Sequence, residues 1–500
     1  MIRALASLSV VLVASFGAAA VFHSGVDETR QPNAGNLQAA ISTSVSECKV
    51  CHSGPAPGLR DYIEKYGSKS FVKLDESITW EQSDPHSVPF AELMSHDIGK
   101  KMFVKYPNAL KNENCLTCHA VDTGRSENRF AGIDTNGIGC SACHGLSKQW
   151  QSKHYESESG QKVEWREWSI ESKTAAGLKN LRDPMTKANL CASCHVGNPQ
   201  QKKVITHEMY AAGHPPLPPF ELLTFMDDQP RHWGTPFELE YFKSLDSSKQ
   251  SLFSFKAEEG KAGYAARHFA AGAIAALRAE VSLHAFDAKS LPAHAGLDYA
   301  RFDCYACHHD LKITSDRQRR GFDGPPGRPP VKAWVGAVAG VVANHVSAER
   351  GAEFAKHWNE LKIEMYSKPY GNPLTVGPKA QQLVDWCDLL AKEMEGSKSF
   401  GVDGAKTIHA TLATEARKMA ADPEAVMALV WAYRGMSKSL DRKDNLDELK
   451  TFLPLTLREK PFETGPSSKP VPKTVGQFTG ERMKRFVNYQ SAEFLKVFPR

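Results

Sequence analysis

The sequence predicts a mainly α protein in two parts, and three observations support this fold class. Five Cys-x-x-Cys-His motifs lie within residues 46–320, where long apolar helical stretches are few. A dense run of glycine and proline follows at residues 321–330. Beyond it, apolar residues recur at helical spacing through residues 331–500. We therefore expect a motif-bearing domain with little regular structure between its motifs, followed by a helical C-terminal domain.

The composition is that of a folded protein with an ample core. Of 500 residues, 41 % are hydrophobic and 24 % are charged, and the 36 glycines and 29 prolines are close to average usage. Lysine and arginine exceed aspartate and glutamate by 62 − 57 = 5 residues, without a long basic run. This balance disfavours nucleic acid as a partner.

Residues 1–22 have the pattern of a secretory signal peptide. Arg3 precedes an almost wholly apolar run from Ala4 to Phe22, which ends near the small residues Ala18, Ala19 and Ala20. We expect cleavage near Ala20 and export to the periplasm. An uncleaved membrane anchor is the alternative, because the run approaches the roughly 20 residues that span a bilayer.

The five motifs each place two thiols three residues apart and a histidine directly after the second thiol. They comprise Cys48, Cys51 and His52; Cys115, Cys118 and His119; Cys140, Cys143 and His144; Cys191, Cys194 and His195; and Cys304, Cys307 and His308. Two thiols on one turn of chain can add to the two vinyl groups of one haem, and the next residue places an imidazole under the iron. The sequence therefore predicts five covalently attached c-type haems.

Other readings of paired cysteines account for less of the pattern. Zinc sites and redox dithiols do not require a histidine after every pair. A disulfide framework, which a secreted chain can use, leaves the five histidines unexplained. The eleventh cysteine, Cys387, lies in a helical pattern and is expected to be a small buried side chain.

The number of distal ligands separates an electron carrier from an enzyme. A haem iron with two imidazoles is saturated and passes electrons, whereas an iron with one protein ligand can bind a small molecule. The sequence contexts favour four distal ligands, His86, His154, His207 and His214. The seven-residue step from His207 to His214 would place both on one helical face, where they could serve two haems.

Four distal ligands for five irons leave the distal ligand of one haem unassigned. Weaker candidates for the remaining position are His96, His268, His284 and His294, whereas His309 is too close to His308 to reach the same iron. Methionine thioethers are also conceivable ligands, although methionine is more often packing material; the candidates are Met94, Met102 and Met209.

The order and flanks of the motifs resemble a known family. The relevant segments are Trp80-Glu-Gln-Ser-Asp-Pro-His86, Asn114 to His119, Gly137 to Gly145, and Phe302 to Leu311. Over roughly residues 46 to 312 the chain resembles the multihaem cytochromes c related to hydroxylamine oxidoreductase and to its tetrahaem cytochrome c electron acceptor. It lacks a Cys-x-x-Cys-Lys motif, and no tyrosine matches the haem-crosslinking tyrosine of hydroxylamine oxidoreductase.

The resemblance implies particular iron ligands. It would pair His154 with His52 and His86 with His144, and it would leave the haem on His119 without a distal protein ligand. This chain departs from the tetrahaem pattern by its fifth motif and by the presence of His214 beside His207.

Helices dominate the predicted C-terminal part. The pattern predicts helices over residues 331–348, 352–366, 378–395, 405–421, 423–440 and 480–497, after an alanine-rich helix over residues 262–283 that leads to the fifth motif. Asp422 and Pro423 form an N-cap followed by a proline at the first helical position. We expect these helices to pack as a bundle against the haem domain.

The function predicted from these features is a periplasmic pentahaem c-type cytochrome that transfers electrons between redox partners. One alternative is an oxidoreductase acting on hydroxylamine, nitric oxide or nitrite at one open haem. Another is a subunit of a membrane respiratory complex that docks through its C-terminal helices.

Overall fold

The computed structural model describes a chain of short helices around the motifs and long helices behind them. It describes residues 44–54, 73–95, 97–107, 113–122, 132–155, 165, 168–233, 260–292, 294–308, 313–314, 318, 324–444, 446–451, 453–455, 457, 489 and 491–498. The predicted signal segment, His96, His309 and most of the predicted helix over residues 480–497 lie outside these ranges. The contacts group Ala40–Arg500 into one compact unit.

The motif-bearing part contains eleven short helices and one two-stranded sheet among the described residues. The helices are α1 (Val45–His52), α2 (Glu76–Ser83), α3 (Pro89–Ser95), α4 (Asp97–Lys105), α5 (Glu113–His119), α6 (Cys140–His144), α7 (Gln151–Tyr155), α8 (Ile170–Ala175), α9 (Pro184–His195), α10 (His207–Ala211) and α11 (Leu222–Asp228). The antiparallel strands are β1 (Val121–Asp122) and β2 (Ile133–Asp134). The Asp134 carboxylate accepts a hydrogen bond from the backbone N–H of Val45 at 2.8 Å, which ties β2 to the start of α1.

The remaining helices are longer. They are α12 (Gly260–Ser290), α13 (Ala333–Val346), α14 (Ala348–Ser367), α15 (Pro373–Gly396), α16 (Val402–Lys418), α17 (Pro423–Ser439) and α18 (Ser491–Val497). The prediction of a mainly α fold is confirmed. The predicted N-cap is also present, because the Asp422 side chain accepts a hydrogen bond from the backbone N–H of Ala425. The predicted start of α15 at residue 378 was late: Pro373 occupies the first turn, and Pro378 lies inside the helix.

Helix α12 joins the motif-bearing part to the C-terminal helices through one core. Many of its alanines, including Ala266, Ala270 and Ala276, are almost fully buried, and small side chains allow neighbouring helices to approach closely. Helix α9 packs on α12, as do α13 and α15. Because α9 carries the fourth motif, the position of that motif is fixed by the same core that holds the C-terminal helices. The predicted boundary between the motif-bearing domain, ending at residue 320, and the C-terminal domain, beginning at residue 331, stays a prediction.

Within the described part of the chain, α12 is the one helix long and apolar enough to cross a membrane. In its most apolar window 72 % of the residues are buried inside the molecule. Its apolar side chains therefore contribute to the core. Cys387 on α15 is also fully buried, as predicted from its helical context.

Candidate functional site

The motif histidines lie at helix ends. Four helices, α1, α5, α6 and α9, each end at the histidine of a motif. The fifth motif begins in the short 3₁₀ helix Cys304–Ala306. Because one helical turn separates the two thiols of a motif, both thiols and the next imidazole lie at one end of the same helix. We number these places site 1 to site 5 in the order of the motifs.

Each motif histidine lies opposite a second histidine from another part of the chain. The ring centres are separated by 6.4 Å in His52–His154, 6.4 Å in His119–His214, 6.4 Å in His144–His232, 6.1 Å in His195–His86 and 6.2 Å in His308–His207. These separations are too long for contact between the rings. They are also nearly the same at all five sites, which calls for a common explanation.

The spacing fits one iron between two imidazoles. An imidazole nitrogen binds a transition metal at about 2.0–2.1 Å, so two rings on opposite sides of one metal have their centres roughly 6.3 Å apart. The observed range of 6.1 to 6.4 Å matches this value at every site. The residues at each site therefore fit a haem attached by the two motif cysteines and ligated on both faces by histidine.

Hydrogen bonds at Nδ1 orient several of these rings. The Nδ1 of His52 bonds to the Glu76 carboxylate at 2.8 Å, and that of His86 bonds to the Asp84 carboxylate at the same distance. Backbone carbonyls accept from His119 at 3.0 Å and from His214 at 2.8 Å. A ring that donates from Nδ1 keeps Nε2 free as the metal-binding atom, which is the usual arrangement at histidine-ligated metals.

Burial keeps the interior histidines neutral. It lowers the pKa of His144, His195 and His214 to about 4 in each case. At neutral pH these rings carry no charge, which is the form in which an imidazole nitrogen binds a metal. At site 1 the hydrogen bond with Glu76 instead raises the pKa of His52.

The partners differ from those implied by the resemblance in two places. His154 lies opposite His52, as the resemblance implies. His86, however, lies opposite His195, and the ring opposite His144 belongs to His232. The structure also places His214 opposite His119, at the position that the resemblance would leave open.

Sequence reasoning missed His232. Its context, Pro230-Arg-His-Trp233, matches none of the segments that pointed to the other ligands. It follows α11, whose C-cap residue Gln229 donates from Nε2 to the Asp84 carboxylate at 3.3 Å. The one signal available was the count, since five irons with four expected distal ligands leave one histidine to be found.

The predicted common helix for His207 and His214 was wrong, although the two rings do face different motifs. Helix α10 ends at Ala211, and Gly213 adopts a φ of +116°, a left-handed conformation that favours glycine. The chain turns there, before the prolines at 215 and 216. His207 therefore faces His308, while His214 faces His119.

The weaker candidates lie elsewhere among the described residues. His268 and His284 are buried in α12, where the Nδ1 of each bonds to a backbone carbonyl of the same helix. His294 is exposed on the surface. Of the three methionines, Met102 and Met209 are buried apolar side chains, whereas Met94 is 39 % exposed.

Two pairs of sites are in close contact through their cysteines. The thiols of Cys140 and Cys48 lie close enough to interact electrostatically, so site 3 adjoins site 1. Cys118 and Cys194 interact in the same way, so site 2 adjoins site 4. The motif order along the chain is therefore not the order in space.

Further contacts connect these two pairs with each other and with the fifth site. Cys143 is close enough to Cys191 for their thiols to interact electrostatically, which places site 3 beside site 4. The Tyr210 ring lies 6.0 Å from that of His214 at site 2 and interacts electrostatically with Cys304 at site 5. The spatial order of the sites is thus 1, 3, 4, 2, 5.

Comparisons with known proteins agree with this chemistry. Residues 47–145, which contain the first three motifs, match the family model described as cytochrome c554 and c-prime. Searches of curated proteins and of solved structures found no match. The matched segment is therefore similar to the cytochromes c554 and c-prime, and this similarity supports a multihaem cytochrome c family, covalently bound c-type haem and a role in electron transfer.

Proposed function

We propose that this chain is an exported pentahaem cytochrome c that relays electrons between redox partners along the site order 1, 3, 4, 2, 5. The observation that carries the proposal is the set of five histidine pairs, each with the ring separation that one doubly ligated iron requires. The apolar segment at residues 4–22 supports export to the periplasm.

Haem iron, when bound, supplies one-electron uptake and release, and the protein residues control where this happens. At each site the two paired histidines would hold the haem iron, which would leave no position on the iron for a substrate. Burial of His144 and His195 lowers the pKa of both rings to about 4, so both are neutral at neutral pH and able to hold the iron. Hydrogen bonds from His52 to Glu76 and from His86 to Asp84 fix the orientation of two rings.

The alternative of an oxidoreductase with one open haem needs a site that lacks a distal ligand. The resemblance would put that vacancy at His119, but the His214 ring lies opposite it at 6.4 Å. Across the five sites the described geometry therefore favours a relay.

The experiment that tests the proposal counts the haems and then reports their coordination. A pyridine haemochrome assay and an intact mass should both give five haems per chain for protein made in a host that attaches haem to cytochromes c. Electron paramagnetic resonance of the oxidised protein should show low-spin iron alone, and neither nitric oxide nor cyanide should bind rapidly. A high-spin signal that disappears on adding cyanide would instead support the oxidoreductase.

A pair of cysteine variants provides the matched control. Replacing both Cys304 and Cys307 by serine should reduce the haem count by one. Cys387→Ser should leave it at five, because Cys387 is buried in α15 and belongs to no motif.

A further inference from the structure

Site 5 is the site that opens to the surface. Of the ten paired histidines, His308 is exposed, whereas the other nine are partly buried. Of the ten motif cysteines, Cys307 is exposed and the other nine are not. Site 5 is also the last in the spatial order, so a relay would reach the solvent there.

An exposed apolar surface adjoins this site. The ring of Tyr299 is centred 5.4 Å from that of His207, the distal histidine of site 5, and 4.5 Å from that of Tyr370. Tyr299 is 50 % exposed and Tyr370 is 37 % exposed. Two leucines, Leu374 at 69 % and Leu291 at 36 %, are exposed as well. We call Leu291, Tyr299, Tyr370 and Leu374 the site 5 face.

Two further contacts bring together the segments that carry these four residues. The N–H of Leu297 donates to the carbonyl of Tyr370 at 2.7 Å, which joins the segment before Tyr299 to the segment before α15. Further along, a Cβ built on Gly377 would lie 3.2 Å from that of Ala288. Leu291 lies about one turn after Ala288, and Leu374 about one turn before Gly377. Helices α12 and α15 run antiparallel, since Arg278 pairs with Asp388 while Ala288 lies beside Gly377. The two leucines therefore lie at the same end of this helix pair.

The two chain segments that carry the face present positive charge to the solvent. Among its described neighbours in residues 289–299 and 367–374, the exposed charged residues are Lys289 and Lys368. The one carboxylate in these segments, that of Asp298, points inward, where it accepts hydrogen bonds from the N–H groups of His207 and Ala300. An apolar centre with a basic rim complements a partner that has an apolar centre and an acidic rim.

We infer that the site 5 face docks a small acidic electron-carrier protein whose own redox centre is ringed by apolar residues. Exposed apolar patches beside a functional site mark protein interaction surfaces, and complementary charge speeds the encounter. In each encounter the reduced carrier loses one electron and the chain gains it at site 5. The inference rests on the proposed function, because it requires a haem at that site.

The test uses the full-length haem-loaded protein and a reduced flavodoxin as the acidic carrier. Stopped-flow absorbance should show that Leu374→Asp and Leu291→Asp each slow haem reduction by about fivefold or more. A negative charge on the site 5 face repels an acidic carrier and so lowers its rate of association. The matched control is Leu389→Asp on the same helix, where the leucine is 50 % exposed and lies about 22 Å further along α15. This control should react within about twofold of the unmodified protein.

Failure of this inference can be distinguished from failure of the proposed function. Dithionite, a small reductant that needs no docking face, should reduce all five haems at the same rate in every variant. The docking inference is wrong if dithionite gives this result and flavodoxin reduces Leu374→Asp and Leu291→Asp as fast as the unmodified protein. It is also wrong if flavodoxin reduces Leu389→Asp as slowly as these two variants. If the unmodified protein carries fewer than five haems or lacks one at site 5, the proposed function fails and the inference fails with it.

A second copy of the chain is the other occupant that the test can reveal. Sedimentation of the unmodified protein should show a monomer at the concentration used for stopped flow. A dimer that Leu374→Asp converts to a monomer would assign the face to self-association and would overturn the inference.

Discussion

The Asp84 carboxylate and the Nδ1 of His86 are joined by a 2.8 Å hydrogen bond between residues only two positions apart. Burial alone would raise the pKa of Asp84, but the hydrogen bond and charge interaction with His86 hold it below its usual value. The side chain is therefore ionised at neutral pH although it is almost fully buried. Glu76 and His52 form a corresponding pair at site 1. With haem bound, both carboxylates would give their histidine partial imidazolate character, which would favour ferric iron.

Asp84→Asn should accordingly raise the midpoint potential of the haem at site 4. The substitution replaces the negative carboxylate beside the distal imidazole of His86 by a neutral amide. Ferrous iron would thereby be stabilised relative to ferric iron. A hydrogen bond to a charged group is worth about 1–2 kcal/mol more than a neutral one, so we expect a rise of roughly 40–80 mV in a redox titration. Glu76→Gln should raise the potential of site 1 instead. A lowered potential in either variant would contradict the assignment of these carboxylates.

The angles between paired rings predict two classes of low-spin signal. The rings are near parallel in His52–His154 and His207–His308, at 20° and 28°. They are near perpendicular in the other three pairs, at 68°, 81° and 89°. Parallel imidazoles give rhombic electron paramagnetic resonance spectra and perpendicular ones give spectra with one large g value. The oxidised protein should show the two classes in a ratio of two to three, and five identical rhombic signals would contradict the ring geometry.

Replacement of His232 tests the ligand that sequence reasoning missed. His232→Ala should leave five haems attached and make the iron at site 3 high-spin, because the ring opposite His144 is gone. The new site should then bind cyanide, which absorbance spectra can follow. His294→Ala is the control: its side chain is exposed, so the spectra should not change. A wholly low-spin His232→Ala protein would show that another ligand holds site 3.

The C-terminal helices contain a pH-dependent contact that does not involve the motifs. The His409 ring is stacked 4.2 Å from Tyr433, and its Nε2 lies 2.8 Å from the Ser437 hydroxyl. Burial lowers the pKa of His409. Between this pKa and that of the unfolded chain, about 6.5, the unfolded state binds more protons, so the free energy of unfolding decreases as the pH falls below about 6.5.

We expect His409→Phe to reduce this loss of stability, because phenylalanine has no proton to gain. The measurement is urea unfolding of the haem-loaded protein, followed by far-ultraviolet circular dichroism between about pH 5 and pH 7. His294→Gln should keep the original pH dependence. Identical slopes for His409→Phe and the unmodified protein would show that His409 does not contribute.

Gly272 on α12 should not tolerate a methyl group. A Cβ at this position would lie 2.5 Å from the Cβ of Leu222, on the first turn of α11. Gly272→Ala should therefore lower the free energy of unfolding by about 1–3 kcal/mol. Gly340→Ala in α13 is the matched helical substitution, because its Cβ would meet Phe354 at an ordinary 3.4 Å. It should be neutral or stabilising by up to about 1 kcal/mol. Equal effects in the two variants would contradict the packing of α11 on α12.

Much of the helical framework followed from local sequence. Six predicted helices, from the alanine-rich helix to the one that begins at Pro423, correspond to α12–α17, with shifts of up to seven residues at their ends. These helices were predictable because their apolar periodicity and caps involve neighbours within one or two turns. The segment from His207 to His214 was mispredicted as one helical face, since spacing alone does not show that Gly213 turns the chain.

For the candidate sites, the sequence by itself determined the chemistry of attachment. The spacing within each motif places two thiols and one imidazole on a single turn, and no distant residue is needed for that arrangement. The tertiary structure alone decided which second histidine faces each motif, as with His232 opposite His144 and His86 opposite His195. It also decided that the sites follow each other in the order 1, 3, 4, 2, 5 and that His308 opens to the surface. These pairings and the order of the sites join residues that are far apart in the chain. They depend on the packing around α12 and on the loops before it, so no local sequence pattern could specify them.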